Sequence, residues 1–201
     1  MGAGATLRAV RAGMVAPTAI VAVSVARGRL AELEPLLLTL ARSRAAGGLP
    51  VAHGALAVLV MAAEPSEALG IVRTLAPDYP FHLRVEGETG DMLRLVRRAA
   101  AWAATLDVPG APVLLADPRR AASPRWAYRA VAALRDGADV VSRHTRTWER
   151  LLCGPAPPIA VSGHAQRAME RWSRARGGAA WAERDSPWRR PAVAGLQAVT
   201  A

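Results

Sequence analysis

Lysine and asparagine are absent from this 201-residue chain, cysteine and phenylalanine occur once each, and all 26 basic residues are arginine. Each gap excludes something. A lone Cys153 can form neither an internal disulfide nor a cysteine-based zinc site, and it suits a reducing compartment as a small apolar residue. Aromatic residues make up 4% of the chain, so Ala, Val and Leu must supply the core, which suits helices on a sheet better than a β-sandwich. No segment reaches the ~18 to 20 uninterrupted apolar residues of a membrane span. Arg8 and Arg11 precede Met14 to Ala26 in the manner of a signal peptide, but Pro17 interrupts the run, no cleavage site follows, and Ile20 to Val25 is better used as a core strand. Met1 to Thr6 also matches the myristoylation pattern, which is short enough to arise by chance. The expected setting is cytoplasmic.

What is present in excess is positive charge. With 26 basic and 16 acidic residues the net charge is +10. Arginine without lysine points to GC-rich coding as the source of the count, yet the field remains, and it favours phosphate or an anionic membrane surface. Nucleic acid is not expected, because no arginine run is interleaved with aromatics. His53, His82, His144 and His164 are scattered with no pair at ligand spacing, so zinc is not expected either.

Along the chain, short apolar runs alternate with amphipathic stretches. Thr18 to Val25 reads as a strand, and Leu30 to Arg44 as a helix with Leu33, Leu36, Leu37 and Leu40 on one side, ended by Gly47-Gly48. Leu56 to Met61 has the length of a strand buried on both faces. A helix capped by Ser66 carries Leu69, Val72 and Leu75, and Phe81 to Val85 alternates as a shorter strand. Asp91 to Leu106 is helical, with Leu93, Val96, Ala100 and Ala103 on a common side, and Val113 to Ala116 is a buried strand. Ser123-Pro124 reads as a cap and first helical position before Trp126, Ala130, Ala133 and Leu134. Asp136-Gly137 ends that helix, Ala138 to Val141 begins a strand, and Ser162 to Arg176 can form a last helix. The alternation predicts an α/β fold of three layers, α/β/α, around an open, mostly parallel sheet whose ligands sit beyond the C-terminal strand ends. Residues 1–17 read as an N-terminal extension, 18–152 as the α/β domain, and 153–201 as a Pro-, Arg- and Trp-rich segment beginning at Pro155, Pro157 and Pro158.

Over roughly residues 18 to 143 the order of elements and some wording resemble the nucleotide-sugar-binding half of family-2 glycosyltransferases, which have the GT-A fold. The residues that carry the resemblance are Val113-Leu-Leu-Ala-Asp117-Pro-Arg119-Arg120-Ala-Ala-Ser123-Pro124-Arg-Trp126 and Gly137-Ala138-Asp139. They match the family's strand, Asp-x-Asp, Ser-Pro helix and Gly-Ala-Asp turn. The first loop, Ala26-Arg27-Gly28-Arg29, and the second, Glu64-Pro-Ser66-Glu67, stand where that family holds its nucleotide. The resemblance implies a nucleoside diphosphate or nucleotide-sugar as ligand, with Arg27, Glu64, Asp117, Arg119 and Arg120 as nucleotide-binding residues. Glu183 or Asp185 would supply the carboxylate an inverting transfer needs as its base.

The departures fall where the chemistry should be. The family's second Asp coordinates Mg²⁺ or Mn²⁺, a hard cation that needs oxygen ligands, and Arg119 offers none. No metal is therefore expected, and no other cofactor is implied. In one reading Arg119 and Arg120 replace the cation, because a guanidinium donates bidentate hydrogen bonds to phosphate and stays charged. In the other, the site has decayed, the arginines are solvated, and Glu183 and Asp185 belong to a charged turn. Two functions follow: a glycosyltransferase-like nucleotide-binding protein whose activity is metal-independent or lost, or a non-catalytic Arg-rich module for an anionic partner or membrane surface. Ser162-Gly163-His164 suggests a hydrolase, but the first Gly of a nucleophile elbow is missing.

Overall fold

Two apolar runs fix the centre of the fold. In β2 (Ala19–Val25) every residue except Ser24 is buried, and in β3 (Leu56–Ala62) every residue is, the burial expected of strands covered on both faces. The computed structural model describes residues 5–7, 15–87, 92–119, 123–142, 158–175 and 197–200. The chain divides into two compact units, Met1–Tyr128 and Arg129–Ala201.

In the first unit β1 (Ala5–Leu7), β4 (His82–Gly87), β3, β2 and β5 (Val113–Ala116) lie side by side in the order β1-β4-β3-β2-β5. Only β1 runs antiparallel to its neighbour, while β4, β3, β2 and β5 are parallel. The chain therefore steps outward from β2 to β3 to β4 and then crosses back to place β5 on the other side of β2. Right-handed crossovers put the first two connecting helices, α1 (Leu33–Ala41) and α2 (Pro65–Leu75), on one face and the returning helix α3 (Met92–Thr105) on the other.

Each helix is held by its apolar stripe. Leu33, Leu36, Leu37 and Leu40 of α1 are buried, each contributing about 1.5–3 kcal/mol before entropy is charged against it. Beneath them Tyr79 donates its hydroxyl to Leu37 O at 2.9 Å and meets Phe81 edge-on at 5.9 Å. Helix α3 buries Leu93, Leu95, Val96, Ala99, Trp102 and Ala103. Its side of the sheet carries Arg84 and Glu86, two apart on β4 and so on one face. Arg84 Nη2 lies 2.7 Å from Glu86 Oε1, Arg98 Nε of α3 lies 3.6 Å from Glu86 Oε2, and the Arg84 guanidinium sits 6.0 Å from the Trp102 ring centre. A buried carboxylate is thus compensated by two arginines, one of them stacked on an indole.

The sequence reading places three helix ends differently from the structure, each for a local reason. The expected helix Leu30 to Arg44 is a 3₁₀ turn, Leu30–Glu32, followed by α1, which stops at Ala41. There Ser43 N bonds back to Leu40 O and Arg44 N is drawn away to Pro124 O at 2.7 Å. Pro65 opens α2, so the N-cap is Glu64 and Ser66 lies inside the helix. Ser123 and Pro124 form a turn, with Trp126 N bonded to Ser123 O, and α4 (Trp126–Arg135) begins at Trp126. Pro124 spends its carbonyl on Arg44 and not on the helix.

In the second unit β6 (Val140–Ser142) is flanked by β7 (Pro158–Val161), antiparallel, and β8 (Ala198–Thr200), parallel. Helix α5 (Gly163–Ala175) follows β7, and Ser162 caps it by accepting the Ala165 N–H at 3.0 Å.

Candidate functional site

The reversal of strand order between β2 and β5 makes a topological switch point, where the connections leave in opposite directions and a crevice opens at the carboxyl ends. The segments that end there are Ala26 to Arg29 after β2, Ala63-Glu64 after β3, and Asp117 to Arg119 after β5. Gly28 has φ +73, the left-handed turn that glycine adopts without steric cost, and it carries the chain from β2 toward α1. The loop after β3 is tied to the loop after β2 twice. Ala63 N donates to Val25 O at 3.1 Å, and Gly28 N donates to Glu64 Oε2 at 3.2 Å. Behind this edge β4 and α2 approach closely: a Cβ at Gly87 would meet Pro65 Cγ at 3.2 Å.

Asp117 and Arg119 form the central pair. Both oxygens of Asp117 accept from one guanidinium, Oδ1 from Arg119 Nε and Oδ2 from Arg119 Nη2, each at 3.0 Å, and Oδ1 also accepts the Arg119 backbone N–H at 3.0 Å. The turn after β5 is therefore closed by the side chain of its first residue. The Arg119 side chain is 59% exposed and that of Asp117 32%. The Asp117 hydrogen bond, then the charge of Asp117, hold Arg119 above its ordinary pKa against a desolvation effect, and Glu32 adds to the rise.

Glu32 closes the 3₁₀ turn that follows the first loop. Its Oε1 accepts from Arg29 Nη1 at 2.8 Å, while its Oε2 is buried without a hydrogen-bond partner. Neither Arg29 nor Glu32 belongs to a motif that marks it in the sequence as a site residue. Their spacing of three, across a 3₁₀ turn that brings i and i+3 onto one side, is the signal that could have found them. Arg27 is exposed at the start of the same loop. The structure therefore brings Glu64 to the Gly28 turn, sets Arg27 in that same loop, and pairs Asp117 with Arg119. Arg120, Glu183 and Asp185 lie outside the described residues. Among the described residues no group of three or more His, Cys, Asp or Glu side chains is placed to hold a metal ion. At the Asp-x-Asp position one carboxylate, Asp117, is present and accepts from Arg119, which itself offers no oxygen ligand to a hard cation.

The second unit has its own polar centre. Asp139 accepts from Ser162 Oγ at 3.2 Å and from Gln197 N at 3.1 Å, and His164 Nδ1 lies 2.9 Å from its Oδ1. Burial pushes the Asp139 carboxyl up, but hydrogen bonds from His164, the Gln197 N–H and Ser162 outweigh it and leave the pKa below the ordinary value. Ser162 is engaged as a helix cap and as a donor to Asp139, the work of a structural serine and not of a nucleophile.

These features define a class of fold: an α/β domain with a mostly parallel sheet and helices. Among solved structures the chain is similar to the crystal structure of 4-diphosphocytidyl-2C-methyl-D-erythritol synthase from Anaerococcus prevotii DSM 20548, with a TM-score of 0.58 and 15% sequence identity over 91% of this chain and 86% of that one. At that identity the likeness shows the fold. No protein-family model matches the chain, and no curated protein matches it. Among the described residues no helix is long and apolar enough to cross a membrane.

Proposed function

We propose that this chain is a glycosyltransferase-like protein that binds a nucleoside diphosphate or nucleotide-sugar where β2, β3 and β5 end, with group transfer metal-independent or lost. The observation that carries the reading is the reversal of strand order at β2 and β5 with Arg119 and the Gly28 amide beside it. A backbone N–H on a left-handed turn and a guanidinium fork are two standard ways to hold a phosphate. The synthase of similar fold is named for a product containing a diphosphocytidyl group, which supports a nucleotide at this edge. In this reading Arg119, helped by Arg27 and Arg120, supplies the positive charge that a metal supplies in Asp-x-Asp enzymes. Glu183 or Asp185 would be the base if transfer survives.

Calorimetric titration with UDP, CDP, GDP and their sugars, with Mn²⁺ and with EDTA, tests the reading. Binding in EDTA is expected. No binding to any of them removes the nucleotide claim, and strictly Mn²⁺-dependent binding contradicts the role given to Arg119.

A further inference from the structure

Every phosphate donor of the switch-point edge that the structure describes in a contact is already held by a carboxylate. Arg119 Nε and Nη2 are held by Asp117, the Gly28 N–H by Glu64, and Arg29 Nη1 by Glu32. Among the described residues of these loops, the carboxylates of Glu32, Glu64 and Asp117 are thus each engaged by a donor, in a chain of net charge +10. The Asp117 carboxylate offers its two oxygens to the guanidinium fork side by side, as two oxygens of a phosphate would.

From this we infer that Asp117 and Glu64 are built-in stand-ins for the anionic groups of the ligand, and that binding proceeds by exchange. Phosphate oxygens replace Asp117 on Arg119 and replace Glu64 on the Gly28 N–H. The inference rests on the nucleotide-binding reading and deepens it by giving Asp117 a role opposite to that of a metal-ligating aspartate. A metal ligand helps the diphosphate bind. A stand-in competes with it, because two anions on one guanidinium repel each other and one must leave. The exchange is cheap, since an ion pair this exposed contributes little in water, so the pair can hold the loop in register between ligands without closing the site.

Asp117→Asn is the natural test. Asparagine keeps an Oδ1 to accept the Arg119 backbone N–H, so the turn survives while the charge goes. Calorimetry in EDTA with UDP, CDP, GDP and pyrophosphate would compare wild type, D117N, R119Q and the double variant, with thermal melting to establish that each is folded and D117S as a second turn-preserving replacement. D117N is expected to bind roughly three- to tenfold more tightly than wild type, R119Q about tenfold or more weakly, and the gain from D117N should vanish in the R119Q background. Binding by wild type that D117N and D117S leave unchanged or weaken overturns the exchange while sparing the nucleotide reading. A gain that persists without Arg119 also overturns it, because simple removal of charge would then suffice. Silence of all variants with every ligand overturns both.

Discussion

Replacing Asp139 with alanine removes the acceptor on which the second unit converges. Three groups lose it at once: Ser162 Oγ at the start of α5, His164 Nδ1 in its first turn, and the Gln197 N–H at the entry to β8. The Asp139 side chain is 17% exposed, so water replaces it poorly. Hydrogen bonds to a charged acceptor contribute more than neutral ones, at about 1.5–3 kcal/mol against about 1, but His164 is 60% exposed and finds water easily. Counting the Ser162 and Gln197 bonds as the main loss, D139A should cost about 2–3 kcal/mol in urea denaturation at neutral pH. The sign of the pH dependence is fixed by the carboxyl. Its folded pKa lies below the ordinary value of 3.8, so its contribution is fully present above the unfolded pKa and is lost as pH falls through the folded one. The gap between wild type and D139A should therefore hold from neutral pH to about 4 and narrow in stronger acid. A gap under about 0.5 kcal/mol at pH 7, or one that widens on acidification, would refute the assignment of Asp139 as the tie between β6, α5 and β8.

Glu86→Ala in the first unit removes the carboxylate that lies 2.7 Å from Arg84 Nη2, and should cost about 3 kcal/mol or more by urea denaturation; adding Arg84→Met should return much of it, since the largely buried guanidinium then goes with its partner. Tyr79→Phe removes only the bond to Leu37 O and should cost about 1 kcal/mol, measured the same way; a loss of several would mean that the hydroxyl does more than fill one acceptor. Gly28→Ala meets no atom within 4 Å of the new Cβ, so its cost is the left-handed backbone alone, about 1 kcal/mol, read as a small drop in melting temperature.

The sheet was legible because a parallel strand buried on both faces has to be apolar throughout. Ala19 to Val25 and Leu56 to Ala62 leave no other interpretation once a Leu-spaced helix stands between them. The helix ends were less legible, because they are decided by partners distant in sequence. No local signal tells that Arg44 N will reach Pro124 O, or that Glu64 will spend its carboxylate on Gly28. The stripe of α3 was read through Ala100, where the structure buries Ala99 and Trp102. The Trp ring is needed to cover Arg84, and the β4 charges that call for it look like solvent-facing alternation in the sequence. The resemblance singles out Asp117 and Arg119 as candidates, but nothing in the sequence signals their mutual bidentate bond. A motif assigns each position to a ligand, whereas the fold lets the two positions satisfy each other.

That distinction bears on how the net charge should be used. A chain of +10 suggests a cationic pocket awaiting an anion, and on composition alone an arginine at a metal-ligand position looks like a permanent replacement for the ion. At the switch point the described carboxylates are spent on Arg29, Arg119 and the Gly28 amide, so these donors are not bare. The two scales act on different steps. A distant field raises the rate at which phosphate arrives and is screened by salt over about 10 Å. Under the proposed exchange, affinity is set by how far phosphate outcompetes the carboxylates already seated on those donors. In this arrangement selectivity comes from exchange, because an anion that engages one donor displaces one carboxylate and gains little. A diphosphate that engages Arg119 and the Gly28 amide together frees two acids to water and gains on both.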